Sequence, residues 1–114
     1  MNYSVFIADE AIEDIFELVR YIHKKLCNPG AAENLYQQLR NKINNLGDYP
    51  RKFASTEIQY RGYVIHKKVY KTYLIFYIID VEEKSVYVIR VMKELMNWKN
   101  ILRKRNVYHF KKRG

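Results

Sequence analysis

The sequence predicts an α+β fold: an N-terminal strand, an antiparallel two-helix hairpin packed on one face of an antiparallel sheet of about four strands, and a short C-terminal helix or tail. Three observations carry this. The segment Lys71 to Lys93, KTYLIFYIIDVEEKSVYVIRVMK, reads as two apolar strands joined by a charged turn. Ahead of it lie two stretches with helical spacing, separated by the breaker Asn28-Pro29-Gly30. Helices grouped before a run of strands are the mark of an α+β domain rather than of alternating βα units.

Taken in order, Tyr3 to Ala8 is a short strand, and a helix follows from about Asp9. Its stripe is Ile12, Ile15, Val19, Ile22 and Leu26, the spacing of an amphipathic helix. Asp9 is the expected N-cap, Glu10, Glu13 and Asp14 favour the positive end of the helix dipole, and Lys24 and Lys25 suit the negative end. Asn28 followed by Pro29 starts a second helix, with Ala32, Leu35, Leu39, Ile43 and Leu46 inside and Gly47 as its stop. So short a connection makes the pair an antiparallel hairpin. Residues 48–60 show no period and are expected to form a loop with one turn of helix. Tyr63 to Val69 is a strand.

The central strand that follows is apolar on both faces, with Leu74, Phe76 and Ile78 on one and Tyr73, Ile75, Tyr77 and Ile79 on the other, which places it inside the sheet. Val86 to Val91 is the last strand, with Arg90 as its one cation. Asn97 to Arg105 is a short helix led by Trp98, Ile101 and Leu102, and 105–114 is a flexible basic tail.

The chain has 114 residues, 48% of them apolar, enough for one domain with a modest core. No apolar run has the length of a membrane span, the first residues do not read as a signal peptide, and Cys27 has no partner for a disulfide. These point to a cytoplasmic protein that does not enter a membrane. Charge is segregated: residues 1–60 hold seven Lys/Arg against eight Asp/Glu, and residues 61–114 hold fourteen against four. A half-chain at +10 within a total of +9 points to an anionic partner: nucleic acid, an acidic protein segment or, least favoured for want of a basic amphipathic helix, anionic lipid; the alternative is a basic surface that only aids solubility.

Four pieces of the chain resemble the RelE/ParE superfamily of bacterial toxins from type II toxin–antitoxin systems. They are IADEAIEDIFELVRYI, NPGAAENLYQQLRNKINNLGDYP, YLIFYIID and VYVIRVMKELMNWKNIL, together spanning about residues 2 to 102. The resemblance implies a growth-inhibiting toxin neutralised by a cognate antitoxin that carries an acidic and apolar segment. Members of the ribonuclease type bind the ribosome and cut messenger RNA, with their active groups on the sheet and on the segment after the last strand. The first expectation is such a ribosome-dependent endoribonuclease. The alternatives are a ParE-like poison of DNA gyrase that cuts nothing, and a degenerate toxin that keeps only antitoxin binding. This chain has Leu74 where many relatives carry an Arg in the third strand, and Glu94, Leu95 and Met96 where many carry Gly-Arg-Arg. Lys93 stands near the family's frequent His or Tyr.

Cutting RNA requires a base for the ribose 2′-OH, an acid for the leaving oxygen and cations for the phosphate. The candidate catalytic residues are His66, Arg90 and Lys93. His66 is the acid/base candidate because histidine titrates near neutrality, and its competing reading is a surface histidine on a basic strand. Arg61, Lys67, Lys68 and Lys71 are the phosphate-binding candidates, or else a solvated basic edge. Tyr73 and Tyr77 are candidates for base stacking, or else core residues with a hydroxyl at the rim. No Cys/His set has metal-site spacing, and no cofactor is implied.

Overall fold

The structure, a computed structural model, describes residues 2–111. Strand β1 (Ser4–Ile7) leads directly into helix α1 (Asp9–Lys24), and the junction is set by the sheet. The N–H of Ala8 donates to the carbonyl of Val88 at 2.8 Å, so Ala8, with extended backbone, takes the capping position. The expected cap, Asp9, is the first helical residue instead. Its N–H, one of the donors a helix start leaves unpaired, reaches the carbonyl of His109 at 2.7 Å. Ala11, Asp14, Ile15, Leu18, Val19 and Ile22 form the inner face of α1. Leu26 lies outside that stripe and is exposed, because the helix ends at Lys24 and Cys27 turns the chain with φ +49°.

Helix α2 (Pro29–Asn44) starts as the sequence predicts: the Asn28 side chain accepts from the Ala31 N–H at 3.1 Å, with Pro29 at the first position. Ala32, Leu35, Leu39 and Ile43 are its buried residues. Two 3₁₀ turns follow, Asn45–Gly47 and Pro50–Lys52. Gly47 is required for closeness rather than for a left-handed cap. A Cβ placed on it would lie 2.4 Å from the carbonyl oxygen of Tyr3, and its own carbonyl accepts from the Tyr3 N–H at 2.8 Å. This glycine joins the end of the helix hairpin to the first strand.

Residues 54–60, expected as loop, form strand β2 (Ala54–Tyr60). Its period is broken by an irregularity between Ser55 and Gln59 and by Glu57 at φ +67°, so only Ile58 and Tyr60 are buried. A bulge of this kind erases the alternation by which a strand is read. Strands β3 (Tyr63–Tyr70), β4 (Tyr73–Asp80) and β5 (Ser85–Lys93) complete a sheet of order β1-β5-β4-β3-β2. The sheet thus has five strands and is mixed, since β1 pairs parallel with β5. Strand β4 is central and buried on both faces from Tyr73 to Ile78, as its apolar pattern requires.

Pairing registers divide the side chains between two faces. Tyr73, Ile75 and Tyr77 share one face with His66, Lys68, Tyr70, Val88, Val91 and Lys93. Helices α1 and α2 cover this face. Leu74, Phe76 and Ile78 share the other with Lys67, Tyr87, Arg90 and Met92. That face is covered by helix α3 (Trp98–Lys104), whose Trp98 ring lies 5.1 Å from Phe76, and by the segment after it. The expected flexible tail is therefore packed as far as it is described. Tyr108 is 6% exposed against Tyr60, Phe110 meets the Tyr87 ring edge-on at 5.1 Å, and Arg61 donates to the Asn106 carbonyl. The reason is aromatic burial, which two spaced aromatic residues in a basic run do not announce. Lys112 and Arg113 of that expected tail lie outside the described residues.

Glu10 latches this C-terminal strap to α1. Its carboxylate accepts from the His109 N–H at 2.9 Å, meets His109 Nδ1 at 2.6 Å and accepts from Arg105 at 3.3 Å. Burial alone would raise the Glu10 carboxyl, but the bonds from His109 hold it below its ordinary value of 4.5. A depressed carboxyl stabilises the folded state above that ordinary value, and the contribution is lost as the pH falls through it and below. Amide protection factors at residues 105–110, taken relative to intrinsic exchange at each pH, are expected to fall on acidification through this range, and Glu10→Gln should show the lower protection already at neutral pH. Equal protection at both pH values would remove the latch. A second expectation concerns Gly47→Ala: with a backbone oxygen in the way, unfolding by urea should show a loss of about 1–3 kcal/mol, the usual cost of overpacking.

Candidate functional site

Arg90 and Asp14 form the most tightly built polar group. Strand β1 stops pairing at Ile7 opposite Val88, so the edge of β5 beyond that point has no strand beside it. Asp14, on the inner face of α1, fills the gap. Its carboxylate accepts from the Val91 N–H at 2.9 Å and takes the Arg90 guanidinium in a two-pronged bond of 2.7 and 2.9 Å. Burial would lower the pKa of Arg90, but the bonds to Asp14 raise it instead. Burial also lifts the Asp14 carboxyl above its ordinary value, against the pull of Arg90 and the Val91 N–H. Three N–H donors converge on this carboxylate, and each favours its ionised form. Arg90, a catalytic candidate by sequence, thus has its fork occupied by a protein carboxylate.

His66 lies on the helix face of β3. Its Nδ1 is 3.1 Å from the Phe53 carbonyl, and its ring stacks on Tyr77 at 5.4 Å. A carbonyl only accepts, so Nδ1 carries the proton and Nε2 is the nitrogen left to act as a base. Tyr77, beneath it, is buried and donates to the Pro50 carbonyl at 2.6 Å, and burial pushes its pKa far up. Tyr73 is also buried on the helix face, and burial raises its pKa too. Both are core, the alternative the sequence offered: the Tyr77 ring is fully buried against His66, and Tyr73 keeps only an edge on the groove between α1 and β5.

The basic candidates are not gathered in one place. Lys67 lies on the strap face with its ammonium 5.1 Å from the Trp98 ring centre, whereas Lys68 lies on the helix face, 3.8 Å over Phe53. Consecutive residues of a strand must point to opposite faces. Lys93 lies over Tyr21 and Tyr73, beside a groove of about 290 Å³ between α1 and β5. Arg61 and Lys71 sit at positive φ in the β2–β3 and β3–β4 turns, at opposite ends of the sheet. The phosphate-binding candidates named from the sequence are therefore spread over both faces and both ends of the sheet. One convergent group includes residues that sequence reasoning left out: Lys42 of α2 and Lys52 join Lys68 around a cavity of about 330 Å³. No local pattern links these three, since they come together only through packing. Among the described residues no group of His, Cys, Asp and Glu could hold a metal ion, and no helix is long and apolar enough to cross a membrane.

The order β-α-α-β-β-β-β-α, with β1 parallel to the last strand, is shared with known proteins. The family model for the ParE toxin of the type II toxin–antitoxin system parDE matches residues 5–98. The chain belongs to this toxin family. It is thus a type II toxin of the RelE/ParE superfamily, as the four sequence pieces implied. Among solved structures, the chromosomal ParDE system from P. aeruginosa is similar with a TM-score of 0.65 and 13% identity, over 80% of this chain and 95% of that one. A free arginine double mutant of E. coli RelE has a TM-score of 0.58 at 19% identity, over 89% and 93% of the two chains. The RelBE2 toxin–antitoxin complex from Mycobacterium tuberculosis has a TM-score of 0.54 at 20% identity, over 82% and 92%. At such identities the likeness is one of fold. No curated protein matches the sequence.

In this toxin the Asp14–Arg90 pair is a structural clamp. Asp14→Asn keeps the shape and leaves the guanidinium charged and largely buried without its counter-ion. A loss of about 2–4 kcal/mol in urea unfolding is expected, near the low end for breaking a buried pair because both side chains keep some exposure. Combining it with Arg90→Met should recover part of that loss, and a double variant as unstable as the sum of the single ones would sink the clamp.

Proposed function

We propose that this toxin arrests growth by binding an essential target, DNA gyrase, without cutting RNA, and that an antitoxin neutralises it. The observation that favours binding is the dispersal of the groups a nuclease must bring together. His66 and Lys68 are on the helix face, Lys67 is on the strap face, and Arg90 is engaged by Asp14. Where the ribonuclease type carries its chemistry, on the sheet and on the segment after the last strand, this chain has Leu74, buried in β4, and Leu95 and Met96 after β5, both exposed. Apolar side chains supply neither proton transfer nor phosphate charge.

The antitoxin reading is supported by charge and by a seat. A half-chain at +10 steers an acidic segment toward it and speeds association. The groove between α1 and β5 offers Leu18, Tyr21, Ile22 and Tyr73 to apolar residues and Lys93 to an acid. Co-expression with the product of a neighbouring small gene should yield a complex.

The ribosome-dependent endoribonuclease remains the second reading, favoured by Nε2 of His66, for which no partner is found among the described residues. Two assays on the same preparation separate the readings. Supercoiling by pure gyrase should fall as toxin is added, while messenger RNA with ribosomes stays intact. Intact supercoiling at a large excess of toxin, together with ribosome-dependent cleavage that His66→Ala slows by roughly 10²–10⁴-fold, would reverse the assignment.

A further inference from the structure

Where α2 ends and the chain turns toward β2, three ammonium groups line one cavity of about 330 Å³: Lys42 from the last turn of α2, Lys52 from the second 3₁₀ turn, and Lys68 from β3. Among the described residues, none of the three has a carboxylate oxygen within 4.0 Å. Asp48 is the single acid on the wall, so the cavity has an excess of two positive charges. Aromatic rings hold the cations instead. Lys68 lies 3.8 Å and Lys52 5.7 Å from the centre of the Phe53 ring, and Lys42 lies 5.6 Å from that of Tyr70.

The kind of support matters. A carboxylate fixes a lysine and cancels its charge, whereas a ring face fixes it by its quadrupole and leaves the charge intact. Burial lowers the pKa of Lys68, and the charges of Lys42 and Lys52 lower it further, so the convergence costs free energy while the cavity is empty. An anion with several oxygens would remove that cost by accepting from all three groups at once. The walls add polar character through Asn45 and an aromatic edge through Tyr49, which is 73% exposed. The cavity is on the helix face, away from Lys67 and the strap.

We propose that Lys42, Lys52 and Lys68 form a binding site for a phosphate-bearing ligand, with the three ammonium groups sharing its phosphate oxygens. The source of the phosphate is a free nucleotide or the backbone of a nucleic-acid strand, and the site does not depend on which target the toxin inhibits. The test is titration calorimetry of the purified chain at low salt with inorganic pyrophosphate, a nucleoside diphosphate and a short single-stranded oligoribonucleotide. Pyrophosphate should bind, and Lys68→Gln should weaken it roughly tenfold or more, as loss of a charged hydrogen bond does. Lys52→Glu, at an exposed position that leaves the fold alone, should abolish it. Stronger binding of the diphosphate than of pyrophosphate, with no gain from the strand, identifies a nucleotide. Stronger binding of the strand, with a salt dependence that Lys52→Glu flattens, identifies nucleic acid. The proposal is overturned if none of the three ligands binds at millimolar concentration, or if binding survives both substitutions while circular dichroism shows the variants folded.

Discussion

The fold depends on how the sheet ends beside β1. A parallel first strand of only four residues cannot accompany a nine-residue last strand along its length. From Arg90 onward β5 would expose unpaired backbone under a helix. Asp14 resolves this by accepting the Val91 N–H, and its remaining oxygen capacity draws in Arg90. One carboxylate thereby closes a sheet edge, neutralises a cation in an apolar strand and fixes α1 against β5. The position of α1 in turn sets the Glu10 latch, because Glu10 and Asp14 are one helical turn apart. The helix layer and the strap on the other side of the sheet are thus joined through one short stretch of α1.

That arrangement explains why the chain carries its acids and bases in separate halves. The N-terminal acids Glu10 and Asp14 are used inside the molecule, on Arg105, His109 and Arg90. Several cations of the second half have no carboxylate within 4.0 Å among the described residues and lie on aromatic rings: Lys67 and Lys99 on Trp98, Lys68 on Phe53, Lys71 on Tyr70, Lys93 on Tyr21 and Tyr73. The abundance of tyrosine, eleven in all, then has two uses. Tyr77 and Tyr108 fill the core, and rim rings such as Tyr21 and Tyr70 orient cations without cancelling them.

Elements with an unbroken period were legible in the sequence. Both helices, the Asn28-Pro29 start and the doubly apolar β4 follow from spacing alone. Strand β2 was hidden by its bulge at Glu57 and by an edge position that buries little. The strap was hidden because Tyr108 and Phe110 read as isolated aromatics in a basic run, and their burial depends on Tyr60 and Tyr87, far away in sequence. Asp14 carried a signal that was open to use: an acid three residues from Ala11 on the apolar stripe, facing a sheet with a single buried arginine. The candidate site was less legible. Its residues were gathered by proximity along the chain, yet alternation sends neighbours such as Lys67 and Lys68 to opposite faces, and the cluster around Lys68 draws on Lys42 and Lys52 from other elements.

On the proposed function the toxin is inert while bound to its antitoxin and acts when released, so its surface serves more than one partner. Dividing the cations among separate aromatic supports suits that need. Each cluster keeps its charge and is desolvated on one side only, which strengthens its pull on an anion relative to a lysine in open water. The summed field of the basic half still acts at long range and speeds encounter with any acidic surface. Specificity must then come from short range, from which cluster and which apolar groove a partner can fill together. Lys93 lines the groove between α1 and β5, whereas Lys42, Lys52 and Lys68 line the cavity at the end of α2, so the two proposed short-range sites draw on different residues of one face.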